Sequence, residues 1–122
     1  MGTAESHVDP AQYVSVLLHS TPAATLIQVS GELDLGSVHH LEDCLTRALA
    51  DGDGQPIHVD LGEVSFIDCA GFEPLTRAAS GLQNGRVLTI TSASSRVRRL
   101  MELMGDVGVL IDDRSADIFS GA

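Results

Sequence analysis

Val64-Ser65-Phe66-Ile67-Asp68-Cys69-Ala70-Gly71-Phe72 is the stretch on which the fold turns. Its first four residues read as a buried strand, and the strand delivers a polar pair, Asp68-Cys69, and a glycine to the start of a helix. A strand that ends in this way presents chemistry at a sheet edge. From Gly71 the period changes, and Phe72, Leu75, Ala78, Ala79 and Leu82 fall on one side of a predicted helix. Pro74 sits in its first turn, where the missing N–H does no harm, and Asn84-Gly85 closes it.

Working outward, Ile57-His58-Val59-Asp60-Leu61 runs into Val64 after a break and makes this the central strand. Upstream, Val14 to Leu18 and Thr25 to Val29 are β-branched runs separated by Ser20-Thr21-Pro22-Ala23-Ala24, the pattern of a hairpin. Val38, Leu41, Cys44, Leu45, Ala48 and Leu49 recur at three- and four-residue spacing, which predicts a helix with Ser37 as N-cap and Gly52 as terminator. Downstream come a strand over residues 87–91, a helix built on Val97, Leu100, Met101 and Met104 and stopped by Gly105, and a short strand at 109–111. Ser94 or Ser95 caps that helix, and residues 116–119 suit one further helical turn. The alternation predicts an α/β domain: a mixed sheet of about 4–5 strands with helices packed mainly on one face.

At 122 residues, 43% of them hydrophobic, the chain suits one domain with an adequate core. A net charge of −10, from 17 acidic residues against 7 basic ones, repels phosphate backbones and anionic membranes. It favours a basic protein partner or serves solubility alone. The two cysteines and five histidines show no zinc spacing, so no metal or cofactor is expected. No run approaches the roughly 20 apolar residues of a membrane span. Met1-Gly2-Thr3-Ala4-Glu5-Ser6 lacks the regions of a signal peptide, and its loose myristoylation pattern is read as chance, so the expected location is the cytoplasm. Residues 1–12 are expected to be a flexible tail.

Four ordered segments resemble the bacterial anti-sigma factor antagonists of the STAS family. Phe66 to Phe72 is similar to that family's Phe-Ile/Met-Asp-Ser-Ser/Ala-Gly-Leu motif, and Gly31-Glu32-Leu33-Asp34 to its Gly-Glu-Leu-Asp loop. Ile57 to Leu61 resembles its central strand, and Ser95 to Gly105 its penultimate helix. The likeness covers residues 13–115, leaving 116–122 as a C-terminal tail. It implies a protein that binds an anti-sigma factor, commonly a serine kinase with an ATP-binding fold, and so frees a sigma factor. In the family, phosphorylation of the serine after the motif aspartate is the off-switch, and phosphate beside Asp68 would repel a desolvated or acidic interface.

This sequence departs from the pattern at that position, which holds Cys69, and the next, which holds Ala70; neither has a hydroxyl. Ser65, in the preceding strand, is poorly placed to substitute. Three readings of Cys69 stand open. It fills the serine's volume and leaves binding constitutive; or it is a redox switch, since a helix N-terminus favours a thiolate; or it is a nucleophile. The last lacks a nameable base, and the cysteine-phosphatase arginine is missing because Leu75 stands six residues on. Cys44, at a core-facing helix position, reads as packing.

The resemblance makes Glu32, Asp34, Asp68, Cys69, Ala70, Gly71 and Phe72 the expected partner-binding residues, with Phe72 exposed at the centre. Asp34 is equally suited to cap the next helix, and Gly71 is expected to act through shape. Arg96, Arg98 and Arg99 form the one basic cluster, either a solvated helix face or a contact, and His39 and His40 are expected to be exposed. No catalytic residue is assigned. Other readings are a STAS subunit regulating a transporter or ABC ATPase, and a scaffold domain without a switch, because fold alone does not decide function.

Overall fold

The computed structural model describes residues 3–9, 13–50, 54–83, 85–105 and 108–111. A six-stranded sheet runs in sequence order: β1 (Thr3–Asp9), β2 (Val14–Ser20), β3 (Thr25–Leu33), β4 (Ile57–Ile67), β5 (Leu88–Ala93) and β6 (Leu110–Ile111). The first three strands are antiparallel neighbours, and β3 to β6 are parallel. The parallel steps are joined by α1 (Val38–Ala50), α2 (Cys69–Ser80) and α3 (Ser95–Met104). Every parallel step moves one strand in the same direction, so right-handed crossovers bring all three helices to one face.

The sheet is longer than the sequence suggests. Where a tail is expected over residues 1–12, Thr3–Asp9 pairs with β2 along its whole length, from Thr3 opposite Ser20 to Asp9 opposite Val14. Thr3-Ala4-Glu5-Ser6-His7-Val8-Asp9 lacks the apolar alternation that marks a strand. The open backbone edge of β2 supplies its hydrogen bonds, and that is a tertiary effect.

The core follows from period-2 alternation in β2 and β4 meeting period-3.6 stripes on the helices. Val14, Val16 and Leu18 of β2 and Ile57, Val59, Leu61 and Val64 of β4 are buried against Leu41, Cys44 and Leu45 of α1, Phe72 and Leu75 of α2, and Val97 of α3. The break expected within β4 is a set of register shifts, after Val59 against β5 and after Gln28 against β3. There the Gly62 amide donates to Asp60 Oδ1 at 2.9 Å, and a Cβ on Gly62 would stand 2.6 Å from Ser92 Oγ.

Two helix boundaries differ from expectation. α2 begins at Cys69 and ends at the Gly81 cap, whose amide reaches back to Ala78 and Ala79, so Asn84-Gly85 lies beyond the helix. Ser37 precedes α1, but its hydroxyl turns back into the loop, donating to the Glu32 carbonyl at 2.7 Å and accepting from the Asp34 amide at 3.1 Å. Ser94 caps α3 and Gly105 ends it as expected. Gly52 and the helical turn at 116–119 lie outside the described residues.

At the pole opposite the ends of β3 and β4, Arg86 is buried and ties three segments together. Its Nε donates to the Gln55 carbonyl at 2.7 Å and its guanidinium to Ala48 at 2.8 Å and Leu49 at 3.4 Å. The last two are carbonyls at the C-terminus of α1, where a cation also meets the negative end of the helix dipole.

Candidate functional site

β3 and β4 are parallel and in register at their ends: Glu32 lies opposite Phe66 and Leu33 opposite Ile67. The residues that follow, Asp34 and Asp68, therefore leave the sheet side by side. Gly71 locks the two exits together. A Cβ there would stand 2.1 Å from the Leu33 carbonyl oxygen and 2.8 Å from its carbon, distances no side chain tolerates against backbone. Only glycine lets the first turn of α2 seat on the end of β3.

The two aspartates hold different local structures. Asp68 is the N-cap of α2, extended at φ −123°, and its Oδ1 accepts from the Gly71 amide at 2.8 Å. Asp34 instead organises a short loop. Its Oδ1 accepts from the amides of Gly36 at 3.0 Å and Ser37 at 3.1 Å, while its carbonyl accepts from Val38 at 2.8 Å to start α1. Its carboxylate thus closes an Asx turn ahead of the helix.

Gly31 fixes the loop from behind. Its φ is +91°, and a Cβ would lie 1.9 Å from the Tyr13 carbonyl oxygen, which accepts from the Glu32 amide at 2.9 Å. Tyr13 answers with a φ of +53°, a left-handed conformation costly for a non-glycine residue. The start of β2 is thereby brought to the same edge as Glu32, Asp34 and Asp68.

That edge gathers exposed apolar surface. Leu35, in the Asp34 loop, is 76% exposed, Tyr13 72% and Phe66 42%. Cys69, the first residue of α2, is exposed and free, and Ala70 is half-buried. Phe72 corrects the expectation of an exposed central aromatic: it is 0% exposed, with Leu75, Ala78 and Pro74 on the core face of α2. Its helical phase decides this, because it lies three positions before Leu75 on the same face of the helix. The large apolar side chains exposed beside Asp34 and Asp68 are instead Leu35 and Phe66. Sequence reading passes over them because an apolar residue in or beside a strand ordinarily reads as core; Leu35, lying between Asp34 and Gly36 in a turn, carried the available signal.

Cys44 is fully buried in α1. Farther down the helices, Arg77 bridges Glu42 of α1 at 3.2 Å and Glu73 of α2. The hydrogen bond to Glu73, then its charge, then Glu42, hold the Arg77 guanidinium above its usual pKa. His39 is exposed and His40 half-buried, their rings 4.0 Å apart. Among the described residues no group of three or more His, Cys, Asp or Glu side chains is arranged to hold a metal, and no helix is long and apolar enough to cross a membrane.

Comparison with known proteins agrees with this fold. The family described as "Mlab, STAS domain" matches residues 16–111. Over 80 residues the chain is 38% identical to the anti-sigma-B factor antagonist of Staphylococcus aureus (strain NCTC 8325 / PS 47), covering 65% of this chain and 73% of that protein. Its fold is similar to the crystal structure of an anti-sigma factor antagonist from Mycobacterium paratuberculosis, with a TM-score of 0.78 at 20% identity over 93% of this chain and 97% of the other. It is also similar to the anti-sigma factor antagonist SpoIIAA in its unphosphorylated form, with a TM-score of 0.62 at 22% identity over 88% and 97% of the two chains.

Proposed function

This chain belongs to the STAS domain family, and from that premise we propose that it is a cytoplasmic anti-sigma factor antagonist. It acts without catalysis, docking a kinase-like anti-sigma factor through the edge built by Glu32, Asp34, Asp68, Cys69, Ala70 and Gly71, and so releases a sigma factor. The observation that carries the reading is the steric lock of Gly71 on Leu33, which holds the Asp34 loop and the Asp68 turn as one surface. Exposed Leu35, Tyr13 and Phe66 around that surface supply the apolar centre that protein interfaces need.

Control by phosphate is absent in this reading, because Cys69 and Ala70 offer no hydroxyl at the head of α2. Binding is constitutive with respect to a serine kinase. The full chain is immobilised and its ligands from a bacterial lysate are identified by mass spectrometry. A kinase-like anti-sigma factor supports the reading, and its loss with Leu35→Asp or Phe66→Asp ties it to this edge. Recovery of an ABC ATPase instead, with no anti-sigma factor, overturns it.

The exposure of Cys69 at the first position of α2 favours a second reading of regulation, in which its oxidation weakens docking. Buried Cys44 takes no part in it. Equal affinity of reduced and peroxide-treated protein for the purified anti-sigma factor would sink this reading and leave constitutive docking.

A further inference from the structure

α1 and α2 pack side by side, and a cleft of about 220 Å³ stays open between them. Its walls are apolar: Leu45 and Leu49 come from α1, and Pro74, Ala78 and Gly81 from α2 or its cap. Leu45, Pro74 and Ala78 are buried, while Leu49 is 38% exposed. An apolar cavity of about 150 Å³ holds a benzene ring, so this one has room for a leucine side chain. Glu42 and Arg77 line it, and Glu73 shares Arg77 with Glu42; two carboxylates on one guanidinium leave the rim negative by one charge.

The third helix carries the converse surface. Arg96 and Arg99 are exposed on α3, and neither makes a hydrogen bond or ion pair among the described residues. At 100° per residue they share a stripe with Leu103, at positions i, i+3 and i+7, and Leu103 is 72% exposed. With Glu102 beside it the stripe is still net positive, on a chain whose net charge is −10.

We propose that two copies of this chain pair through these surfaces, Leu103 of each entering the α1–α2 cleft of the other and Arg99 reaching Glu42 and Glu73 on its rim. All three helices lie on one face of the sheet, so stripe and cleft open to the same side. A two-fold axis in the plane of that face exchanges them, and one rotation forms both contacts. The charges fall in the matching order. Arg99 precedes Leu103 by one turn of α3, as Glu42 precedes Thr46 on α1 and Glu73 precedes Arg77 on α2, about 5.4 Å along each helix. Copies of so acidic a chain repel one another at long range, and a positive stripe seated on a negative rim offsets that repulsion. Two contacts of this size make a dimer that depends on concentration. The inference does not rest on the antagonist reading.

Sedimentation equilibrium of the full chain tests this. The mass is expected to rise from one copy toward two with concentration. Arg99→Glu/Leu103→Gln spoils the stripe, and Thr46→Arg fills the cleft and repels Arg99. Each variant should weaken the dimer about 100-fold, because the symmetry repeats every change. All three positions are exposed, so both variants keep their fold. Mixing the two should restore part of the association, since the intact cleft of one meets the intact stripe of the other. A mass of one copy up to ~1 mM overturns the proposal, as does a dimer that survives either variant. A mixture that associates no better than its components overturns it too. Growth beyond two copies means an open chain of contacts in place of the closed pair, and overturns it equally.

Discussion

Two strand-to-helix passages leave the same edge of this sheet, one residue past a registered pair, and each begins with aspartate. After β3, Asp34 spends its carboxylate on the amides of Gly36 and Ser37, building a turn that lifts Leu35 into solvent before α1 starts. After β4, Asp68 caps α2 at once, and the first helical residue is exposed Cys69. The same residue type at the same register thus gives a display loop in one case and a rigid helix start in the other. Spacing to the next helix makes the difference: three residues separate Asp34 from Val38, and none separates Asp68 from Cys69. One passage leaves an apolar side chain, Leu35, in solvent, and the other leaves a single exposed thiol, Cys69.

The comparison is broken most severely at the joint the two passages share. Gly71→Ala drives a Cβ into the Leu33 carbonyl and is expected to destabilise the fold by about 3 kcal/mol or more, read as a lower urea midpoint. Next comes the display function. Leu35→Asp should weaken anti-sigma factor binding about 30-fold, roughly 2 kcal/mol, in a titration, with the urea midpoint unchanged.

The aspartates themselves sharpen the contrast. Asp68→Ala removes a cap worth about 1 kcal/mol, and Asp34→Ala, which frees two amides, should cost about as much or somewhat more. Each should lower the melting temperature by a few degrees, about 4 °C per kcal/mol, in circular dichroism. Only the Asp34 variant should also lose affinity through Leu35. The smallest stability effect belongs to Cys69→Ser, within about 0.5 kcal/mol at this exposed site. Its expected gain is chemical: incubated with the anti-sigma kinase and ATP, the variant takes up phosphate while the unaltered chain does not. Stoichiometric incorporation into the unaltered chain would refute constitutive docking.

Much of this architecture was legible in the residues because pattern and burial coincide. The alternation from Ile57 to Val64 and the spacing from Val38 to Ala48 name the sides that the structure buries. The misreadings have two causes, dependence on a partner elsewhere in the fold and a motif that outweighs a period. β1 is a strand because β2 offers it an edge. Phe72 is buried, as its helical spacing to Leu75 dictates, although the motif assigns it to the partner surface. Ser37 sits where an N-cap belongs, but the Glu32 carbonyl claims its hydroxyl across the loop. Leu35 and Phe66 escaped notice because exposure depends on how the edge is folded, and neither propensity nor period reports that. That Asp34 and Asp68 leave the sheet as neighbours follows from strand register, with Glu32 opposite Phe66 and Leu33 opposite Ile67.

Arg86 bears on how this surface can be altered. Its buried guanidinium binds main-chain carbonyls of Gln55, Ala48 and Leu49, groups that every substitution leaves in place, and it does so at the pole away from the aspartate edge. Randomising positions 32, 35, 66 and 69 leaves that clamp and both locking glycines untouched. The domain is thereby suited to serve as a scaffold for selection, in which new specificities are sampled at one end while a sequence-indifferent polar anchor at the other keeps the library folded.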